Sequence, residues 1–181
     1  MIRAEKKPSP STTALLATMV VAAIVLGACS PSAAPTSRPK ATTAAFYVQS
    51  ASMIPILKIG DRIVIATSGY VIRRGDLVVF KRPPADIGTG DAELVMRVIA
   101  LPGETIAARG NIVLIDGRPL HESWLPTLKG VCAESAENIP PTRIPSAHYF
   151  VMGDCRGDSA DSRTWGSLAV SLIVGKVLES G

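Results

Sequence analysis

From residue 45 onward the chain is a succession of short β-branched or alternating segments, each followed by turn-forming residues, and this punctuation constrains the fold more than any other feature of the sequence. The segments cover residues 45–49, 62–67, 76–80, 94–101, 105–108, 111–115, 149–152 and 173–178. Each suits a strand better than a helix, because apolar residues recur at a period of two and branched side chains fit a pleated surface. Gly-Asp, Arg-Gly, Pro-Gly and Asp-Gly pairs fall between them, and Asp116-Gly117 directly after 111–115 predicts a tight hairpin. Residues 81–93 and 121–147 have loop composition and read as insertions between strands, the second with at most a turn of helix. Outside the N-terminal region the one helical pattern, at 162–170, is weak and is interrupted by Arg163, Thr164, Trp165 and Gly166. The expected fold is a mostly β domain over 45–181.

The N-terminal part has a different character. Arg3, Lys6 and Lys7 precede an uncharged run over 14–28, the charge-then-apolar order of an export signal. The run is shorter than the roughly 20 residues a helix needs to cross a bilayer. Its end, Leu26-Gly27-Ala28-Cys29, resembles the bacterial lipobox, in which the cysteine is lipidated and becomes the new N-terminus. Residues 1–29 are therefore either a cleaved lipobox leader or an uncleaved anchor helix, and either one tethers the chain to a membrane. Residues 30–44 shift to Ser, Pro, Ala and Thr, too poor in bulky apolar side chains to build a core, and read as a linker. Setting Cys29 aside leaves Cys132 and Cys155, an even pair in a compartment where disulfides persist. Both a bridge and two small buried thiols fit that count.

With 181 residues, and a leader and linker removed, there is room for one domain with one core. The 19 basic residues against 15 acidic ones give a formal charge of +4, scattered without a run that would track phosphates, so nucleic acid is not an expected partner. No cluster of metal-ligating residues and no cofactor motif emerges, and neither a metal nor a cofactor is expected.

Three stretches carry chemistry. The first is Ser50-Ala51-Ser52-Met53-Ile54-Pro55, followed by Leu57, Gly60 and Asp61. The second joins Arg74-Gly75-Asp76 to Val95-Met96-Arg97-Val98-Ile99-Ala100-Leu101-Pro102-Gly103-Glu104. The third runs from Met152-Gly153-Asp154-Cys155-Arg156 through Ser159-Ala160-Asp161-Ser162-Arg163 to Trp165-Gly166. In this order and spacing they resemble the signal peptidase I family of Ser-Lys serine proteases (peptidase family S26). The third stretch resembles the family's most diagnostic motif, Gly-Asp-Asn-Arg-x-x-Ser-x-Asp-Ser-Arg-x-Trp-Gly. The resemblance runs from about Ser50 to the end of the chain. It implies a fold of coiled antiparallel β-sheets, an apolar surface near the site that lies on a membrane, and shallow pockets for small residues before the cut.

Carried over residue by residue, the resemblance makes Ser52 the nucleophile that attacks the scissile carbonyl. Ser50 and the Ser52 amide become the oxyanion donors, and Val95 a residue of the substrate pocket. Ser159 matches the serine that orients the base, and Asp161 and Arg163 match an ion pair that holds the loop against the site. Two positions depart from the pattern. Cys155 replaces the motif's asparagine and is free to bridge to Cys132. Met96 stands where the family keeps its catalytic lysine, and a thioether has no useful proton affinity. Methionine fills the volume of a lysine stem and packs adaptably, so the fold is expected to tolerate it. Lys81, His121 and His148 occupy no matching position; Lys81 reads as a solvated lysine and His148 as a surface or hydrogen-bonded histidine. The Arg-Gly-Asp tripeptides at 74–76 and 156–158 lie inside family motifs and carry no adhesion reading.

The expected function is a membrane-associated serine endopeptidase that cleaves signal peptides from exported proteins. Its domain would sit on the extracytoplasmic side of the cell membrane, with signal peptides and membrane lipid as partners. The alternative is an impaired enzyme on the same scaffold that holds signal peptides or other extended segments without cutting them. A purely structural lipoprotein ranks last, because it gives Ser52, Ser159, Asp161 and Arg163 no role.

Overall fold

The computed structural model describes residues 42–86, 93–125, 132 and 138–180. Cys29, the leader or anchor at 1–29 and nearly all of the 30–44 linker lie outside the described residues. Among the described residues eleven strands follow in chain order: β1 Thr43–Tyr47, β2 Arg62–Ala66, β3 Leu77–Lys81, β4 Glu93–Ala100, β5 Thr105–Arg109 and β6 Ile112–Ile115. The series continues with β7 Arg118–Pro119, β8 Ile139–Arg143, β9 His148–Met152, β10 Leu168–Ala169 and β11 Ile173–Ser180. One α-helical turn, α1 Ser162–Trp165, stands between β9 and β10. Among the described residues no helix is long and apolar enough to cross a membrane.

All pairings are antiparallel, in a seven-stranded sheet ordered β1-β2-β11-β3-β4-β9-β10 and a four-stranded sheet ordered β7-β6-β5-β8. Two apolar clusters correspond to them. One gathers Met53, Leu57, Ile63, Ile65, Phe80, Met96 and Trp165, and the other Ile99, Ile106, Val113, Ile144 and Phe150. β4 serves both. Its pairing with β9 shifts register between Val98 and Ala100, and across that shift Val98, Ile99 and Ala100 are all buried. An extra residue at a bulge breaks strict in-out alternation and bends the strand, which lets consecutive side chains reach two cores.

The eight segments expected as strands all contain strands, with ends moved by a residue or two; β1 starts at Thr43 rather than at residue 45. Asp116 and Gly117 both take positive φ, 49° and 78°, between the paired Ile115 and Arg118, as a two-residue hairpin turn requires. The reading of 121–147 as a pure loop is corrected, because it contains β8. Pro140 and Pro141 hid that strand. β8 is the outer strand of its sheet, where a residue without an N–H leaves no ladder bond unmade. The weak helical pattern at 162–170 divides into the single turn α1 and the short strand β10.

Candidate active site

The segment between β1 and β2 is folded back on itself. The Val48 amide donates to the Asp61 carbonyl at 2.9 Å and the Gly60 amide to the Val48 carbonyl at 2.8 Å, closing a loop whose apolar plugs, Met53 and Leu57, are fully buried. Burying these two side chains pins the turn and leaves Ser50 and Ser52 half-buried at its mouth.

The loop after β9 clamps this turn from the other side. The Cys155 amide donates to the Ser52 carbonyl at 2.9 Å. The Ser159 hydroxyl lies 2.8 Å from the Cys155 carbonyl and 3.2 Å from the Ser52 carbonyl, so its single proton is shared between two backbone oxygens. The packing leaves no space for a side chain at Gly153: a Cβ there would come within 1.9 Å of Ser159 Oγ and 2.7 Å of the Ser52 carbonyl. Asp161, fully buried, caps α1 by accepting from the Arg163 amide at 3.0 Å, accepts from the Gly153 amide at 3.0 Å, and pairs with the Arg163 guanidinium at 2.7 and 2.8 Å. One carboxylate thus joins the helix cap, the glycine and the arginine.

Met96 sits in β4 opposite Val78, only 2% exposed and within the apolar cluster that includes Met53 and Val48. No side chain among the described residues hydrogen-bonds the Ser52 hydroxyl. The other candidate proton acceptors are remote in role. Lys81 is exposed at the end of β3, His121 is exposed, and His148 Nδ1 lies 3.0 Å from the Ser146 carbonyl.

Next to Met96, Arg97 is buried and makes a two-pronged pair with the fully buried Asp154, at 2.8 and 2.6 Å. Its third nitrogen donates to the Gly75 carbonyl at 2.7 Å, and the guanidinium lies 5.6 Å from the Trp124 ring centroid. The sequence reading gave neither residue a role, although each is adjacent to a position that was singled out. A buried pair between residues 57 apart in sequence becomes visible only once β4 and β9 lie side by side.

Beside Ser50 a cavity of about 550 Å³ runs between β1 and β4, walled by Phe46, Tyr47 and Gln49 on one side and by Leu94 and Val95 on the other. Both walls are open strand edges. Among the described residues β1 is the outer strand of its sheet and pairs with β2 alone, while β4 pairs with β9 from Arg97 onward, so residues 93–96 have a described partner on one side. Arg82 and Glu93 stand at the end of the groove farther along β3 and β4.

Cys132 and Cys155 form a disulfide with Cα atoms 5.4 Å apart, and the Cys132 sulfur lies 3.9 Å from the Ile54 carbonyl. Asp158 is close by, but both sulfurs are already bonded to each other and supply no thiolate for a metal. Arg156 pairs with Glu122, tying the same loop to the segment before Cys132. Thus Ser50 and Ser52 on one loop interlock with Cys155, Ser159, Asp161 and Arg163 on the segment after β9, Cys132 joins that segment through its bridge, and Val95 lines the groove beside Ser50.

Comparison with known proteins gives a consistent picture. The family model described as signal peptidase, peptidase S26, matches residues 12–180. A protein of Synechocystis sp. named Probable signal peptidase I-1 is 37% identical over 141 residues, covering 73% of this chain and 67% of the relative. Signal peptidase I of Leptolyngbya laminosa is 33% identical, covering 73% of this chain and 65% of the relative, so the matched region spans about two thirds of the length of these relatives. The crystal structure of a signal peptidase I from Enterococcus faecalis superposes with a TM-score of 0.50 at 28% identity, covering 62% of this chain and all of that one.

Proposed function

Because this chain belongs to the signal peptidase family, we propose that it is a serine endopeptidase of the signal peptidase I type that takes signal peptides of exported proteins into the groove beside Ser50. The observation that carries this reading is the pair of open edges facing one cavity. An extended segment laid between them adds a strand to each edge through its main chain, and the apolar walls at Leu94 and Val95 accept small side chains. Ser52, two residues beyond the Ser50 that lines the groove, attacks the carbonyl. Ser50 and the Ser52 amide stabilise the oxyanion, and Ser159, Asp161 and Arg163 hold the turn in place.

Met96 makes the chemical step slow. A nearly closed apolar site offers the Ser52 proton no acceptor at the position where the family keeps an amine, and losing a positioned base costs on the order of 10²–10⁴ in rate. The same observation favours a second reading, in which the groove holds its peptide without cutting it. Incubation of the purified protein with a preprotein, followed by mass analysis, separates the two. A product cut after a small residue and lost in Ser52→Ala supports the peptidase. A preprotein that binds and stays intact supports the holding role.

The site faces the extracytoplasmic side of the cell membrane in this reading, with the chain tethered through residues 1–29. Tyr47, Ile56 and Ile59 are 65%, 40% and 64% exposed around the nucleophile turn and form the apolar rim that meets lipid. Mass analysis of the mature N-terminus decides the tether. A diacylglyceryl Cys29 establishes the lipoprotein form, and an intact Met1 establishes the anchor helix.

A further inference from the structure

The loop that clamps the nucleophile turn is itself gripped from a segment to which the sequence reading gave no role. Glu122 lies between β7 and β8 in the chain, and its carboxylate accepts from both terminal nitrogens of Arg156, Nη1 on Oε2 at 3.0 Å and Nη2 on Oε1. The Arg156 and Glu122 side chains are 15% and 10% exposed. The fork is therefore held largely out of water, where a charge-assisted pair is stronger than at the surface and fixes direction as well as distance.

Held at its tip, the guanidinium reaches inward to the loop backbone. Arg156 Nε donates to the Gly153 carbonyl at 3.1 Å, and the Arg156 carbonyl accepts from Arg163 Nη2 at 2.5 Å. Between these two anchored carbonyls lies Cys155, whose amide donates to the Ser52 carbonyl and whose own carbonyl shares the Ser159 hydroxyl proton with that same oxygen. The Ser52 carbonyl belongs to the nucleophile itself, so a shift of the Cys155 backbone moves the residue that carries the attacking hydroxyl. Without the fork the loop keeps its two ends, because Arg97 still pairs with Asp154 and Asp161 with Arg163. What is released is its middle, next to Ser52. Glu122 does this without lining the groove.

We propose that Glu122 is a positioning residue that acts through Arg156 to fix the Cys155 backbone and, with it, the place of the Ser52 hydroxyl. The proposal rests on the reading of Ser52 as nucleophile given above.

The test uses the full chain and two signal-peptide fragments that end at the residue before the cut, one as the C-terminal aldehyde and the other as the corresponding alcohol. On the aldehyde the Ser52 hydroxyl adds across the C=O bond. Its Oγ bonds to the carbon, the π bond breaks, and the proton ends on the former carbonyl oxygen, giving a hemiacetal at equilibrium whatever the speed of proton transfer beside Met96. The alcohol fills the same groove and forms no bond. The parent should bind the aldehyde on the order of 10² times more tightly than the alcohol, and Ser52→Ala should bind the two alike. Glu122→Gln should lower that preference by about tenfold through misplacement of the hydroxyl, with the alcohol's affinity unchanged. Arg156→Gln and the double variant Glu122→Gln/Arg156→Gln, which leaves no unpaired charge, should show the same loss, because the pair acts as one link. A preference that survives in any of the three, or an alcohol affinity that falls in step with the aldehyde's in the double variant, overturns the positioning role and leaves Ser52 standing. A parent that binds aldehyde and alcohol alike overturns the nucleophile reading and this proposal with it.

Discussion

At the scale of single residues, one methionine, one glycine and one buried ion pair shape the candidate site. In the proposed reading Met96 keeps the core filled and supplies no base, so it separates fold from chemistry in one side chain. Gly153 works in the opposite sense, because its missing side chain is what allows Ser159 to reach the Ser52 carbonyl. Gly153→Ala should therefore destabilise the domain by about 1–3 kcal/mol through overpacking, read as a lower midpoint in urea, and should displace the Ser52 turn; an unchanged midpoint would show that the clamp yields easily. The buried pair of Arg97 and Asp154 predicts a larger effect. Arg97→Met leaves a fully buried carboxylate without its partner and should cost about 3–5 kcal/mol, whereas a change under 1 kcal/mol would mean that Asp154 finds another donor.

At the scale of elements, the site consists of the Ser52 turn and the loop after β9, held by strand ends, and the Cys132–Cys155 bridge fastens Cys132, between β7 and β8 in the chain, to that second loop, with the Cys132 sulfur beside the Ile54 carbonyl of the turn. Closing 23 residues restricts the unfolded chain, and the expected contribution is about 3 kcal/mol. A reductant, or the pair Cys132→Ser/Cys155→Ser, should lower the thermal midpoint accordingly, and equal melting of oxidised and reduced protein would contradict this. The elements also show how far the sequence could be read. Periodicity two and the Asp116-Gly117 turn made the strands and one hairpin legible, because those signals are local. β8 was hidden by prolines that only its outer position in the sheet excuses, and the bulge at Val98 to Ala100 is invisible without the partner strand.

At the scale of the whole molecule, the seven-stranded sheet brings its first strand and its β4 edge to the two sides of one groove, whose lining includes Ser50. The candidate residues Ser50, Ser52, Ser159, Asp161 and Arg163 could be picked out from motifs, but the groove and the Arg97–Asp154 pair depend on contacts between distant segments. In the proposed reading, a single buried methionine withholds the base from an otherwise intact peptidase scaffold. The direct measurement is the rate of signal-peptide cleavage by Met96→Lys, by the parent and by Met96→Lys/Ser52→Ala under the same conditions. The account predicts that Met96→Lys cuts on the order of 10²–10⁴ times faster than the parent and that the added Ser52→Ala abolishes the gain. A parent that already cuts as fast as Met96→Lys, or a gain that survives the loss of Ser52, would contradict it.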